Sequence, residues 1–449
     1  MLVIVSDLHI TDETTANNVN PEAFELLGAD ILDAVERRGA TEIHLVLLGD
    51  ILDLVRTDYW HRSGIPMRLR PWGGTLDPRT GMNGDGTALR EQFHGVLGGI
   101  LATPTAVALG ETLATLAAGP VPFRATYVVG NHERVMWNFP SLQEAVRAAM
   151  PPIAAFARQV ESAEYGVLAR HGHEWDEHSH GWQFRRTVLS PGAETDRFAP
   201  EAYEVMAIGE AVTAELMSGL VYHARDLGAP KSLVDQLKDV NNLRPLLDVF
   251  AWLEWIGGVR EWDHRRMLHE SLKRALDGLL ETSLARQWDH LRTDTLVSGD
   301  LVDRLEQARA FLLGPDFESF RGRVQGLGRL QRLLPALQPA EEGLLAGARS
   351  EAASNQAAGQ DGIQRVIYGH THRARHDYFS SGPDGTVRMY INTGTFLPLI
   401  SRAADRRSFS SALQMTMVFV YRSNEDTQRK RAGTSSLDIW NGTRHKLYA

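Results

Sequence analysis

L-V-L-L-G-D-I-L-D, residues Leu45 to Asp53, decides how the rest of the chain is read. An apolar run this short, bounded by glycine, cannot be a membrane helix and reads as a buried strand of an α/β sheet. Asp50 follows at the strand's carboxyl end, the edge where open α/β sheets bind ligands. A carboxylate placed there needs a hydrogen bond, an ion pair or a metal to offset its desolvation, unless it merely caps the next helix.

Working outward, the same device recurs. Leu2 to Val5 is a β-branched run that leads into Ser6-Asp7-Leu8-His9, and Arg124 to Val129 leads into Gly130-Asn131-His132-Glu133. Gly166 to Ala169 precedes Arg170-His171-Gly172-His173-Glu174, and Val366 to Tyr368 precedes Gly369-His370-Thr371-His372. Between the first two strands, Phe24, Leu27, Ile31, Leu32 and Val35 form a helical stripe with Gly39 as its stop. A β-α-β unit with a right-handed crossover then brings Asp7 and Asp50 out side by side.

The 449 residues exceed one ordinary core, so two or more structural units, or one domain with a large insertion, are expected. Apolar residues at 43% and charged residues at 23% describe a globular chain rather than a disordered one. Without cysteine there is no disulfide, thiolate-held zinc or thiol chemistry. A net charge of −9 gives no global footprint for nucleic acid, although a local basic patch remains open. No secretory signal is evident and no transmembrane segment is expected, so cytoplasmic residence is the expectation. Val96 to Ala118 is long and apolar, but its Gly, Thr and Pro104 read as a buried helix broken at the proline.

From Trp175 onward the pattern turns helical, with stripes such as Leu233, Leu237, Leu246 and Phe250, and Leu301, Leu305, Leu312 and Leu313. The expected organisation is a core in two parts, residues 1–174 and 361–449, interrupted by an α-helical insertion over 175–360 that caps the site. Ala352 to Gln360 reads as a hinge back to the core. Val387 to Asn392 and Met415 to Tyr421 close the chain with sheet. The stretch from Arg56 to Trp72 mixes arginine with aromatics, which suits recognition of phosphate, bases or lipid headgroups, or else forms an ordinary surface loop. Arg56, Arg62 and Trp60 are its candidates for substrate contact.

Imidazole, carboxylate and amide oxygens without thiolate suit Mn, Fe or Zn at five or six coordination rather than a structural tetrahedral zinc. A carboxylate shared by two ions about 3.5 to 4 Å apart holds a dinuclear site, which activates a bridging hydroxide and clamps a phosphoryl group. The expected chemistry is hydrolysis of a phosphoester.

In their order D-x-H, G-D-x-x-D, G-N-H-[DE], H and G-H-x-H, these residues resemble the calcineurin-like metallophosphoesterases. The resemblance implies a four-layer αββα sandwich with the site at its strand ends. It implies one metal held by Asp7, His9, Asp50 and His372, and a second by Asp50, Asn131, His171 and His370, with Asp50 shared. Manganese is the first expectation for these two divalent ions, with Fe, Zn or Mg as the others. His132 is implied as the group that stabilises the transition state or protonates the leaving oxygen, Glu133 as its orienting partner, and Asp53 as a support behind the ligands. The motifs lie within roughly residues 1–175 and 361–449.

Leu54 and Val55 stand where the Ser/Thr protein phosphatase branch has Arg-Gly, which argues against that activity. G-D-I-L-D-L, Y-G-H-T-H-R and the N-T-G-T-F turn at Asn392 to Phe396 lean toward the branch that includes UDP-diacylglucosamine pyrophosphatase. The expected reaction is cleavage of a phosphodiester or pyrophosphate bond in a phosphorylated small molecule or nucleotide-linked substrate. The alternatives are a metal-dependent nuclease acting on DNA or RNA, prompted by the Arg56 to Trp72 stretch, and a scaffold without turnover.

Overall fold

The computed structural model describes residues 1–192, 196–244, 248–256, 262–291, 301–312, 341–357, 362–381, 387–427 and 435–446. Leu246 and Leu313 of the expected stripes lie outside these residues.

The fold is mixed α/β with two sheets. The chain enters with β1 (Leu2–Val5), then α1 (Glu22–Arg38), which Gly39 ends in the left-handed conformation at φ 63°, and then β2 (Ile43–Leu48). The short helix α2 (Tyr59–Arg62) and the helices α3 (Gly86–Leu101) and α4 (Pro104–Ala117) follow. Thr103 accepts from the Ala106 N–H and Pro104 opens α4, so the apolar stretch is bent by 74° at that point. No single helix among the described residues is long and apolar enough to cross a membrane.

Next come β3 (Phe123–Val128), α5 (Pro140–Ala149), β4 (Ile153–Ala157), β5 (Gln159–Ser162) and β6 (Val167–Arg170). After the helical segment the chain returns through β7 (Arg365–Tyr368), β8 (Ala374–Ser381), β9 (Val387–Thr393), β10 (Pro398–Arg402), β11 (Phe409–Tyr421) and β12 (Ser436–Lys446).

The first sheet runs β10-β11-β1-β2-β3-β4, with β12 on the other edge of β11, and β1 to β4 are parallel. The second sheet runs β5-β6-β7-β9-β8, with β6, β7 and β9 parallel. Strand alternation assigns the faces. Leu2, Ile4, Val46, Leu48 and Val128 meet Val167, Ala169, Ile367 and Ile391 in a core between the sheets. Val3, Val5, Leu45 and Leu47 point the other way, onto Phe24, Leu27 and Ile31 of α1 and Leu109 and Leu113 of α4. The outer face of the second sheet, with Val366, Tyr368 and Tyr390, is covered by Leu344, Leu345 and Ala348 of the helix Glu341–Ala357.

Among the described residues between β6 and β7 the regular elements are helices, including Gly219–Asp226, Val249–Ile256, Trp262–Leu280 and Leu301–Leu312. One extended contact, the bridge between Leu243 and Ile400, pins this segment to β10. Ala352 to Ala357 continue the last helix instead of forming the expected hinge; residues 358–360 lie outside the described residues.

The Arg56 to Trp72 stretch corrects one expectation. Trp60 is fully buried against Trp72 at 5.4 Å and Phe93 at 5.2 Å, so it is core and presents no face to a substrate. Glu215 of the insertion takes Arg70 at 2.7 Å and the Trp72 indole N–H at 2.6 Å, and Tyr222 stacks on His61 at 4.9 Å. The interleaved aromatics and arginines dock the helical segment onto the core.

Candidate metal centre

Every implied ligand lies just past the carboxyl end of a parallel strand: Asp7 after β1, Asp50 after β2, Asn131 after β3, His171 after β6 and His370 after β7. Because the two sheets pack face to face, these ends converge. Asp7 takes the His370 backbone N–H at 3.0 Å, and His171 Nε2 lies 3.2 Å from Asp50 Oδ2, so each contact joins one sheet to the other.

The backbone marks five of the seven implied ligands. Asp7, His9, Asp50, His370 and His372 all have φ between 43° and 72°, the left-handed region that L-residues enter at a cost. Such strain persists where the surroundings over-determine it, as at ligand sites. The glycines of the motifs have a steric reason. A Cβ on Gly49 would stand 2.5 Å from His171 Nδ1, one on Gly130 would collide with the Asp50 carboxylate, and one on Gly369 with that of Asp7. Gly130→Ala is therefore expected to lower stability by about 1–3 kcal/mol, the range for overpacking. Urea unfolding followed by circular dichroism measures it.

Asp7, His9 and His372 form one buried set whose ligand atoms lie within 4.8 Å of one another, and Asp50, His171 and His370 form another. Asp50 also groups with His9 and His132, so its carboxylate stands between the two sets. His9 Nε2 and His372 Nε2 face each other at 2.9 Å, with Asp7 Oδ1 3.8 and 3.5 Å from them. His372 Nδ1 is buried and has no hydrogen-bond partner among the described residues. Asn131 Oδ1 lies 3.1 Å from His171 Nε2.

Partners behind the rings fix which nitrogen faces inward. His171 Nδ1 donates to the Leu48 carbonyl at 2.9 Å, and His9 Nδ1 is 2.8 Å from Asp53 Oδ2, so the Nε2 atoms point to the site. His370 Nε2 is held at 3.0 Å by Asp176 Oδ2, a residue that sequence reasoning missed. Its only signal is an acidic position shortly after His171, which says nothing of a strand end nearly two hundred residues later.

Charge in the site is arranged to receive cations. Burial pushes the Asp50 carboxyl up, but His171, His132 and His9 around it prevail and hold it well below the usual carboxylate range. Burial lowers the His171 imidazole, yet Asp50 lifts it to about 10, so positive charge is favoured there. Burial, then Arg244, His9 and Arg56, hold His372 well below its ordinary value, in the neutral form that ligates metal.

His132 sits beside this centre with Nε2 3.9 Å from Asp50 Oδ2 and Nδ1 2.8 Å from Asp53 Oδ1. Burial lowers its imidazole, and the carboxylates of Asp53 and Asp50 outweigh that and raise it. Asp53 thus carries both His9 and His132. Glu133 takes a different place from the one expected, because its carboxylate accepts from the Ile51 N–H at 3.2 Å instead of orienting His132. Burial, reinforced by Asp50, pushes the Glu133 carboxyl well above its usual range, and through the Ile51 N–H the side chain braces the Asp50 loop.

No protein-family model matches the chain, and no curated protein matches it.

Of the remaining candidates, Arg56 reaches the centre, with Nε 3.0 Å from Asp53 Oδ2. Arg62 is half exposed, and its guanidinium is paired with Asp58 at 2.8 Å. Arg244, which no motif announced, enters from the insertion and points its Nε at the carbonyl of Thr371, between His370 and His372, at 3.4 Å. Burial, and then the like charge of Arg56, bring its guanidinium down to about 9.

Proposed function

We propose that the chain is a dinuclear metal-dependent phosphohydrolase of the calcineurin-like metallophosphoesterase type, cleaving a phosphodiester or pyrophosphate bond. The observation that carries this reading is the position of Asp50, whose buried carboxylate stands between Asp7, His9 and His372 on one side and Asn131, His171 and His370 on the other. The order of helices, sheet, sheet and helix around the two cores supports the four-layer sandwich.

The donors fit hard or borderline divalent ions. Asp7, His9, Asp50 and His372 would hold one, and Asp50, Asn131, His171 and His370 the other. When bound, such a pair supplies Lewis-acid polarisation of a phosphoryl oxygen and a water made acidic enough to attack at neutral pH.

The chain's own residues do the rest. Asp53 pins the Nδ1 side of His132, which leaves Nε2 directed toward Asp50 and the reacting phosphoryl group. A proton held at Nε2 neutralises charge developing on the leaving oxygen. Arg56, braced by Asp53, adds a guanidinium on the same side. The arginine and aromatic stretch that prompted a nuclease reading is largely spent on holding the insertion, which favours a small substrate under a helical cover over a polyanion track.

The test is Mn²⁺-supplemented hydrolysis of p-nitrophenyl phosphate, bis-p-nitrophenyl phosphate, a UDP-linked sugar and single-stranded DNA. Cleavage of the diester or the UDP compound, abolished by EDTA and restored by Mn²⁺, is the expected result. Cleavage of DNA alone, or no metal-dependent cleavage of any of the four, would overturn it.

A further inference from the structure

Arg244 is fixed before it meets any ligand. Its backbone N–H donates to the Ile400 carbonyl at 2.8 Å, next to the Leu243 to Ile400 bridge that ties the insertion to β10. Its Nη1 donates to the carbonyls of Asn241 and Leu243, both at 2.8 Å, and its Nε reaches Thr371 O at 3.4 Å. All these acceptors are neutral. Among the described residues no carboxylate lies within ion-pairing distance of this guanidinium; the charges that act on it are Arg56, Asp7 and Arg373. Arg373 is turned to the surface and taken by Glu341 at 3.3 Å.

Arg56 approaches from the core side. Its side chain is 5% exposed, and its one ion pair among the described residues is with Asp53, a carboxylate already shared by His9 and His132. Arg244 reaches the turn that carries His372 through Thr371, and Arg56 stands behind Asp53, the carboxylate that holds His9, so both positive charges bear on the Asp7, His9 and His372 set. Burying like charges in this way is unfavourable unless an anion joins them, and the planar fork of arginine matches phosphate oxygens pairwise.

We propose that Arg244 and Arg56 form a clamp for a phosphoryl group carrying two negative charges, beside the Asp7, His9 and His372 set. The inference rests on the phosphohydrolase reading and narrows its substrate class to a compound that ends in a pyrophosphate, whose terminal phosphoryl group carries two negative charges. A diester monoanion spread over the site leaves one guanidinium without a partner, whereas a second anionic oxygen supplies it. The insertion is then part of the binding site, because it delivers Arg244.

The experiment is isothermal titration of the full chain with pyrophosphate and with dimethyl phosphate, with and without Mn²⁺, for the wild type, Arg244→Gln and Arg244→Lys. Pyrophosphate affinity should fall about 10- to 100-fold in Arg244→Gln, the range for losing a charge-assisted bond, while dimethyl phosphate changes little. Arg244→Lys, which keeps the charge but not the fork, should lose at least about fivefold, and it decides the matter if the glutamine variant does not fold. Unchanged pyrophosphate affinity in the variants, or equal loss for both anions, overturns the clamp. Loss of pyrophosphate binding in a protein that hydrolyses no phosphoester would keep the clamp and overturn the phosphohydrolase reading. Intact hydrolysis with unchanged binding would do the reverse.

Discussion

Asp50→Asn is expected to weaken divalent metal binding about 10²- to 10³-fold and to remove metal-dependent hydrolysis with it. The carboxylate is 1% exposed, its Oδ2 is 3.2 Å from His171 Nε2, and its Oδ1 accepts the His132 backbone N–H at 3.0 Å. Removing one member of a buried charge arrangement costs about 3–5 kcal/mol, and each 1.4 kcal/mol is a factor of ten in affinity. An amide also presents an N–H₂ toward either His9 or His171, where the site offers other ligands and no acceptor meant for it. The measurement is Mn²⁺ titration alongside thermal unfolding of the metal-free protein. Unaltered Mn²⁺ affinity in a folded variant would remove Asp50 from the centre.

His132→Ala has the second large effect and a different signature. The side chain is 13% exposed, and its inward nitrogen is 3.9 Å from Asp50 Oδ2, a position beside the centre that suits proton transfer better than ligation. Losing a positioned acid lowers kcat about 10²- to 10⁴-fold. Metal content and KM should stay near the wild-type values, because the ring is not among the implied ligands and Asp53, which it shares with His9, keeps its contact with His9 Nδ1. Steady-state kinetics with a poor leaving group should show a larger loss than with p-nitrophenolate, which departs without protonation. A loss of bound metal that matches the loss of rate would make His132 a ligand instead.

The parts of the fold legible in the sequence were those whose physics is local. β1, β2, β3, β6 and β7 are buried, so their apolar runs are continuous, and the ligand-bearing turns follow each of them directly. The strands that escaped notice, β4, β5, β8, β10 and β12, lie at sheet edges and expose much of their length. Arg-His-Asp-Tyr in β8 reads as loop because this edge strand leaves His376, Tyr378 and Ser380 exposed.

Trp60 failed for another reason, since arginine with aromatics describes a stacking platform and a docking seam equally well. Only the partners decide, and here Trp60 packs on Trp72 and Phe93, while Trp72 is taken by Glu215, more than a hundred residues away. Arg244 and Asp176 were invisible on the same ground. Each acts on the G-H-T-H turn across a long sequence separation, Arg244 through the Thr371 carbonyl and Asp176 through His370 Nε2.

The most direct test of the shared-carboxylate centre is electron paramagnetic resonance during Mn²⁺ titration of the purified chain. The second equivalent of Mn²⁺ should replace the isolated-ion signal with that of an exchange-coupled pair, the consequence of two ions about 3.5 to 4 Å apart sharing Asp50. Asp50→Asn should lose the coupled spectrum. An uncoupled six-line signal at every stoichiometry, or no binding at all, would contradict the shared-carboxylate centre.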